Sequence, residues 1–366
     1  MKRIVELDIL RVLALLFVVF HHATWWFVDK YPGAREKLSF FFLGDLGVSF
    51  FIILSGCALT ISGSKNCSFS TFYKKRFLSI IPSYWIAYLL VTVLLFSING
   101  TFLQDFKLRK FLATFFAMDG WLSTAGFSTY YRVGEWFTGF ILLVYAIAPL
   151  VISLVKKRPF LSIAFFTFIS YLSIHYNDTI ISSIKVWSRN PYWNPTARLA
   201  EFSIGVFLGL LILNNKIFKN RFAFLFLSSL TSGVLLYLSN KYYYGLRLLF
   251  YVSLFISLLL TFNLIKNALY NSQKTRIIFK EFIPALTFCS SLSFLAFLFH
   301  HQITLLLMAR LPPPSSSSGT SGAGVNLISY GVLICSVLCL SYTLAYFSLP
   351  LVNEIKRIAK RVLFLK

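Results

Sequence analysis

The sequence has little charge, and very little of it is negative. Only 13% of the 366 residues are charged, and 12 acidic residues stand against 35 lysines and arginines. A chain in which 57% of the residues are apolar cannot cover a soluble globule with polar surface. The composition therefore excludes an ordinary soluble domain and indicates a membrane protein.

The cysteines do not form a metal-binding pattern. The five cysteines are scattered, they contain no Cys-x-x-Cys motif, and no Cys/His set has zinc-site spacing. Cys335 and Cys339 are four residues apart in an apolar stretch, which is more typical of helix packing than of metal ligation. We therefore expect no metal.

The excess of positive charge does not indicate nucleic acid. A net charge of +23 would suggest it in a soluble protein. Here the basic residues lie in short runs between apolar segments, which is the pattern of a membrane topology signal. No basic face with interleaved aromatic residues occurs, so we expect membrane lipid, and not nucleic acid, around this chain.

Apolar segments long enough to cross the roughly 30 Å hydrocarbon core recur along the chain. Because the connections are short, we expect an all-α polytopic fold around a central cavity, with one transmembrane domain over residues 1–366. We predict about ten membrane-spanning helices, at residues 5–27, 41–62, 78–98, 136–155, 159–176, 198–214, 222–239, 247–265, 282–308 and 325–347.

The distribution of lysine and arginine sets the predicted orientation. With the N-terminus in the cytoplasm, most basic residues fall in inside connections, and both termini are cytoplasmic. The apolar stretch KFLATFFAMDGWLSTAGF at 110–127 is short and is interrupted by Asp119. Counting it as a span would put the basic run at 156–158 outside, so we predict a re-entrant or interfacial segment. The Pro-, Ser- and Gly-rich residues 311–324 predict a flexible outer loop.

The first apolar segment, DILRVLALLFVVFHHATWW at 8–26, contains polar residues that are costly in a membrane. Arg11 and His22 are eleven residues apart, so a helix places them on one face, roughly 16 Å apart along its axis. His21 lies about 80° away from that face. Such residues usually face a bundle interior or a wet cavity. The alternative is that Arg11 pairs with Asp8 and that the histidines cap the helix at the interface.

The two residue types suit different chemistry. Histidine exchanges protons near neutral pH and serves as a general base, whereas the guanidinium fork of arginine binds phosphate. A helix with both could hold a phosphorylated donor on one side of a membrane and an acceptor on the other.

Several motifs in order along the chain resemble one family. The opening LDILRVLALLFVVFHH has an arginine, ten residues and then a histidine. It is followed by GVSFFIILSG (47–56), FYKKRFLSIIPSYW (72–85), WFTGFILLVYAIAP (136–149), RLAEFSIGVFLG (198–209) and LSFLAFLFHH (292–301). Together these motifs resemble the acyltransferase-3 family, the integral-membrane O-acyltransferases of bacterial surface polysaccharides.

The resemblance implies a function and a set of site residues. The chain would transfer an acetyl group from cytoplasmic acetyl-coenzyme A to a hydroxyl of a lipid-linked or nascent glycan, in the bacterial inner membrane. His22 and Arg11 would be catalytic, with His22 acting as a general base on the acceptor hydroxyl or briefly accepting the acyl group itself. Arg11, Lys75, Arg76 and Ser55 would contact the donor, and the acceptor side would include Glu135, Trp136, Arg198, Glu201 and His300.

Each of these residues also has a simpler interpretation. Arg76 is at the predicted cytoplasmic edge and could be a topology anchor. Ser55 and Gly56 could serve close helix packing. Arg198 and Glu201 could pair across one helical turn, and His300 could bond a neighbouring helix. Trp136 and Glu135 could lie at the interface, where tryptophan is common.

The sequence departs from the family at two positions. Ser79 stands where a second arginine often follows Arg76, and Ile141 stands where many members have a glutamate after the tryptophan. The second departure puts a His–Glu catalytic pair in doubt. Two other classes of protein also stay open: a ten-span transporter or flippase for a lipid-linked glycan, and a structural subunit of a glycan export complex.

Overall fold

A computed structural model describes residues 3–63, 68–100, 106–133, 135–239, 244–271, 273–312 and 327–364, and every regular element among them is helical. The α-helices are α1 Val5–Lys30, α2 Arg35–Leu38, α3 Gly44–Ser62, α4 Phe69–Asn99, α5 Leu108–Phe115, α6 Asp119–Thr124, α7 Phe137–Lys157, α8 Pro159–His175, α9 Asn177–Ser183, α10 Leu199–Leu213, α11 Lys216–Lys219, α12 Arg221–Ser239, α13 Tyr244–Asn271, α14 Gln273–Arg310 and α15 Leu327–Phe364. Short 3₁₀ turns occupy Pro32–Ala34, Ser39–Phe41, Pro191–Trp193 and Pro195–Arg198.

Eight helical segments in the described part of the chain are long and apolar enough to cross a membrane. A ninth arises if α8 and α9, which meet at a bend of 75°, form one broken span, and α12 contributes a shorter apolar helix over Arg221–Leu235. All ten predicted segments therefore fall on apolar helices, although the strict count is eight to nine. Helices are the expected solution, because every backbone N–H and C=O is then paired within its own segment.

The stretch at 110–127 forms no spanning helix, as predicted. It folds into α5 and α6, which are too short to cross a bilayer. The chain reverses at Ala117, whose φ of 55° is left-handed, and the N–H of Met118 bonds the carbonyl of Ala113 at 2.7 Å. Residues 313–324 of the predicted outer loop at 311–324 lie outside the part of the chain that the structure describes.

Contacts divide the chain into two compact units, each assembled from three separated segments. The first unit comprises Met1–Ala14, Val48–Phe72 and Phe140–Ser291, and the second comprises Leu15–Gly47, Tyr73–Gly139 and Leu292–Lys366. Each unit is described by itself below. The single domain over residues 1–366 stays a prediction.

In the first unit, α3 and α10 cross at small residues. A Cβ atom at Gly56 would lie 2.4 Å from the carbonyl oxygen of Phe202, and one at Gly205 would lie 2.3 Å from that of Ile53. Only glycine allows two backbones to approach this closely, which is the usual way in which helices associate in lipid. The packing interpretation of Gly56 is therefore confirmed.

We expect Gly56→Ala to destabilise the protein by about 1–3 kcal/mol, the usual cost of overpacking, because the new methyl group meets rigid backbone. The measurement is the midpoint of thermal unfolding of the purified protein. Gly233→Ala is the matched control, since a Cβ there meets nothing within 4 Å. An equal midpoint for the two variants would contradict the close crossing.

Candidate functional site

In the second unit, a carboxylate and two imidazoles from distant parts of the sequence come together. His22 lies on α1, Glu135 immediately precedes α7, and His300 lies on α14. One donor atom from each side chain falls within 4.8 Å of the other two. His301 also belongs to this group, since its ring centroid is 5.1 Å from that of His22. We call these four residues the histidine cluster.

The members of the histidine cluster differ in accessibility. Glu135 is 4% exposed to solvent and His300 is 0% exposed, whereas His22 is only half-buried. His301 is half-buried as well, so a reactant that reaches the cluster can meet His22 or His301, and Glu135 and His300 form the buried part of the cluster.

The hydrogen bonding of His300 fixes what it presents to Glu135. Its Nδ1 lies 2.5 Å from the carbonyl oxygen of Phe297, and because a carbonyl only accepts, Nδ1 carries a proton. The other nitrogen of the neutral ring, Nε2, is then an acceptor. It lies 3.4 Å from Oε1 of Glu135, which is also an acceptor when ionised.

Two buried acceptors that face each other need a shared proton or a cation between them. Burial raises the pKa of Glu135 well above its ordinary value, which favours a protonated carboxyl group that can direct its proton toward His300. Carboxylate and imidazole donors are also the ligands of zinc sites. The geometry thus admits a shared proton or a metal ion, and burial of Glu135 favours the proton.

Several buried polar atoms around His22 have no hydrogen-bond partner among the described residues. Buried polar groups are normally paired, and the exceptions mark strained or reactive places. These atoms are Glu135 Oε1, His300 Nε2, His301 Nδ1 and Trp26 Nε1. The group they form is therefore the strongest candidate for a reactive site in the second unit.

The short helix α6 holds the backbone of Glu135 in place. A Cβ at Gly120 would lie 2.3 Å from the carbonyl oxygen of Glu135, so only glycine permits this contact. Asp119, buried beside it, accepts hydrogen bonds from the Tyr84 hydroxyl and from the N–H of Gly120. Burial raises the pKa of Asp119 to about 6. The polar residues that interrupt 110–127 thus anchor the site.

His21, the neighbour of the cluster, has different surroundings. Its ring packs against Phe42, with centroids 5.8 Å apart, and against Gly44, where a Cβ would lie 2.6 Å from the ring. These are packing contacts. The predicted separation of His21 from the functional face of the helix agrees with its place outside the group of His22, Glu135 and His300.

In the first unit, the predicted pair of Arg198 and Glu201 forms a closed buried set. Arg198 Nε lies 2.7 Å from Glu201 Oε2, and Nη2 donates to the Ser49 hydroxyl at 2.8 Å. Ser49 donates in turn to Glu201 Oε1 at 2.7 Å. The pairing interpretation is confirmed, and acceptor binding by this pair stays a prediction.

Arg11 also lies in the first unit and has partners. Its Nη1 is 3.3 Å from Asp8 and donates to Ser290 at 3.0 Å, while Asp8 also binds Arg3. The predicted pair with Asp8 is confirmed. The side chain of Arg11 is 32% exposed to solvent, so it is accessible to a ligand.

The other predicted site residues lie in three places. In the first unit, Ser55 donates to the carbonyl of Phe51 at 2.8 Å and accepts from Tyr145 at 3.2 Å. In the second unit, Lys75 is exposed and Arg76 half-buried on α4. Trp136, beside Glu135, is half-buried. Their roles toward a donor or acceptor stay predictions.

Sequence reasoning missed the role of one residue. It placed Glu135 on the acceptor side, with the interface as the simpler alternative, and looked for a carboxylate partner of the histidine at Ile141, which is a buried apolar residue. The structure places the carboxylate of Glu135, on the other side of Trp136, near His22 and His300. The acidic residue directly before the tryptophan was the available clue, and a catalytic role for a His–Glu pair stays a prediction.

The geometry can be compared with known proteins. The sequence model of the acyltransferase-3 family, described as an acyltransferase domain, matches residues 4–346, nearly the whole chain. No curated protein and no solved structure gives a significant match. His22, Glu135 and His300 all lie within the matched range.

We expect the Glu135 carboxyl to be protonated at pH 7, because its raised pKa keeps the proton bound where an ordinary glutamate has lost it. Infrared spectra of wild type and Glu135→Gln at pH 7 should differ by one carboxylic-acid C=O band. Asp119→Asn is the control: its band should appear only below about pH 6. Absence of a Glu135 band at pH 7 would show that a cation or an imidazolium faces an ionised carboxylate.

Proposed function

The chain belongs to the acyltransferase-3 family and is a multi-pass membrane acyltransferase, and on this premise we propose that it O-acetylates a bacterial surface polysaccharide. The donor is cytoplasmic acetyl-coenzyme A, and the acceptor is a hydroxyl of a lipid-linked or nascent glycan such as O-antigen, capsule or exopolysaccharide. The protein resides in the inner membrane with both termini in the cytoplasm.

The single observation that carries the proposal is the histidine cluster. Acyl transfer to an alcohol needs a base that removes the hydroxyl proton as the C–O bond forms. His22 and His301 are the half-buried imidazoles of the cluster, and Glu135 and His300 are buried beside His22. A half-buried imidazole with buried polar support suits general-base catalysis.

In the proposed reaction, His22 accepts the proton of the acceptor hydroxyl while its oxygen attacks the thioester carbonyl. The C–O bond forms, the C–S bond breaks, and the proton passes from His22 to the departing sulfur of coenzyme A. As His22 becomes positively charged, Glu135 is proposed to support it as a hydrogen-bond acceptor, because a protonated carboxyl group still has an acceptor oxygen. Because Glu135 and His300 are buried, we propose that they support His22 and do not contact the glycan acceptor.

The donor's phosphates require positive charge. Arg11, with 32% of its side chain exposed, is proposed to hold the phosphate or the thioester end of the donor, since a guanidinium binds two oxygens at once. Lys75 and Arg76 are proposed to bind the diphosphate, and Ser55 to lie near the donor. Trp136 is proposed to contact the acceptor, while the satisfied pair of Arg198 and Glu201 orients its helix at the acceptor side.

A transporter or flippase would use a polar cluster for substrate or protons without forming a bond. The family membership favours chemistry over transport. Purified protein that neither binds nor hydrolyses acetyl-coenzyme A would favour the transporter, or a structural subunit of a glycan export complex.

We expect His22→Ala to lower the rate of acetyl transfer by about 10²–10⁴-fold, the usual contribution of a positioned general base. Expression and unfolding midpoint should be unchanged. His21→Ala is the matched control, because it removes the adjacent imidazole, which packs on Phe42 and Gly44. Transfer of labelled acetyl to the host glycan is the measurement, and a fully active His22→Ala protein would overturn the role.

We expect chelators to leave acetyl transfer unchanged, because a shared proton already satisfies the contact between Glu135 and His300. Transfer is measured after dialysis against EDTA and after addition of zinc, with total metal determined by mass spectrometry. Loss on chelation with recovery on zinc addition would assign the three donors of the cluster to a metal ion instead.

A further inference from the structure

The first unit contains a cavity of about 490 Å³ that the proposed catalytic residues do not line. It lies where the start of α1, the turn from α10 through α11 to α12, and the last part of α13 meet. Its cationic lining residues are Arg3, Lys219, Arg221 and Lys266, and Glu6 is the only acidic one. The cavity therefore favours an anionic ligand.

Two of the four cations are already neutralised by carboxylates. Lys266 bonds Glu6, whose Oε1 also accepts from Asn263 at 2.7 Å. Arg3 Nε is 2.6 Å from a carboxylate oxygen of Asp8. These contacts hold the walls of the cavity together and leave little of their charge for a ligand.

The other two cations keep their charge available. Lys219, which is exposed, and Arg221, which is half-buried, form no ion pair with a carboxylate among the described residues. They flank the turn between α11 and α12, two positions apart. A phosphate placed between an ammonium and a guanidinium receives charge-assisted hydrogen bonds from both.

The remaining lining groups suit the rest of a nucleotide. Phe218 presents a half-exposed aromatic ring, against which a purine can stack. Asn215 and Asn267 supply amide donors and acceptors at the rim. An anionic lipid headgroup would use the cations but would need neither the ring nor the amides.

We propose that this cavity binds the phosphorylated nucleotide end of the acyl donor, with Lys219 and Arg221 on the phosphate attached to its ribose and Phe218 against its base. The inference rests on the proposed function, because it gives a place to the nucleotide of coenzyme A. It agrees with the predicted topology, in which the start of α1 and residues 216–221 face the cytoplasm.

The test is the affinity of the purified full chain for coenzyme A, in nanodiscs of neutral phosphatidylcholine. The double variant Lys219→Gln/Arg221→Gln should raise the Kd by about tenfold or more, since two charge-assisted contacts are lost. Lys216→Gln is the matched control, because Lys216 is an exposed lysine on the same short helix that does not line the cavity. Lys219→Arg/Arg221→Lys, which keeps both charges, should bind nearly as wild type.

Further arms separate the ligand sources and the two proposals. Inorganic phosphate should compete weakly, and His22→Ala should bind coenzyme A like wild type. An unchanged Kd in the double variant of an active acyltransferase overturns the cavity assignment and leaves the function intact. The cavity assignment is also overturned if the double variant binds coenzyme A like wild type and loses only the thermal stabilisation that phosphatidylglycerol gives to wild type. The cavity would then be a lipid site. Wild type that neither binds coenzyme A nor transfers acetyl overturns the proposed function itself.

Discussion

A buried carboxyl group and an imidazole nitrogen that face each other as two acceptors need a proton or a cation between them, and this constraint organises the second unit. The Nδ1–H of His300 donates a hydrogen bond to the carbonyl oxygen of Phe297, so its other nitrogen can only accept one. Glu135 is 3.4 Å away and buried. The pair is neutral as a whole wherever the proton resides, which makes it tolerable in a low-dielectric interior.

The pair depends on packing that is remote from it in the sequence. Glu135 is held by the close backbone approach of Gly120, and Gly120 belongs to a short helix that is anchored by the bond between Asp119 and Tyr84. The polar interruption of an otherwise apolar stretch is therefore a support for the site. A continuous spanning helix over residues 110–127 would lack the short helix that holds Glu135 beside two histidines.

Two buried polar sets of the first unit differ from the histidine cluster of the second unit. In the first unit, Arg198, Glu201 and Ser49 bond one another, and Asp8 is bound by Arg3, Arg11 and Ser290. Such sets fix helices. In the histidine cluster of the second unit, buried atoms remain without partners among the described residues. Unsatisfied groups beside a half-exposed histidine are typical of a site where a reactant completes the bonding.

Much of this fold could be predicted from the sequence, because apolar length and basic connections report on local chemistry. The eight to nine helices of the described residues that can span a membrane, the break at Asp119, and the pairs of Arg11 with Asp8 and Arg198 with Glu201 all follow from local spacing. The bend between α8 and α9 and the contact of Glu135 with His300 do not. The contact joins residues 165 positions apart, and periodicity along one helix carries no information about such a pairing.

The contact of Glu135 with His300 joins residues that are distant in the sequence, which explains why the search for a carboxylate at position 141 failed. A family pattern gives positions after the tryptophan, whereas the requirement is a carboxylate near His22 in space. Glu135 lies near His22 although it precedes α7, so a carboxyl group and two imidazoles come together although the motif differs.

A double-mutant cycle on acetyl transfer by the purified protein tests the account most directly. Glu135→Gln, His300→Gln and the double variant are compared with wild type for transfer of labelled acetyl from acetyl-coenzyme A to a glycan acceptor. If the two residues act as a unit behind His22, each single variant loses most of the activity and the double variant loses little more. Additive losses, or full activity in either single variant, would contradict the account.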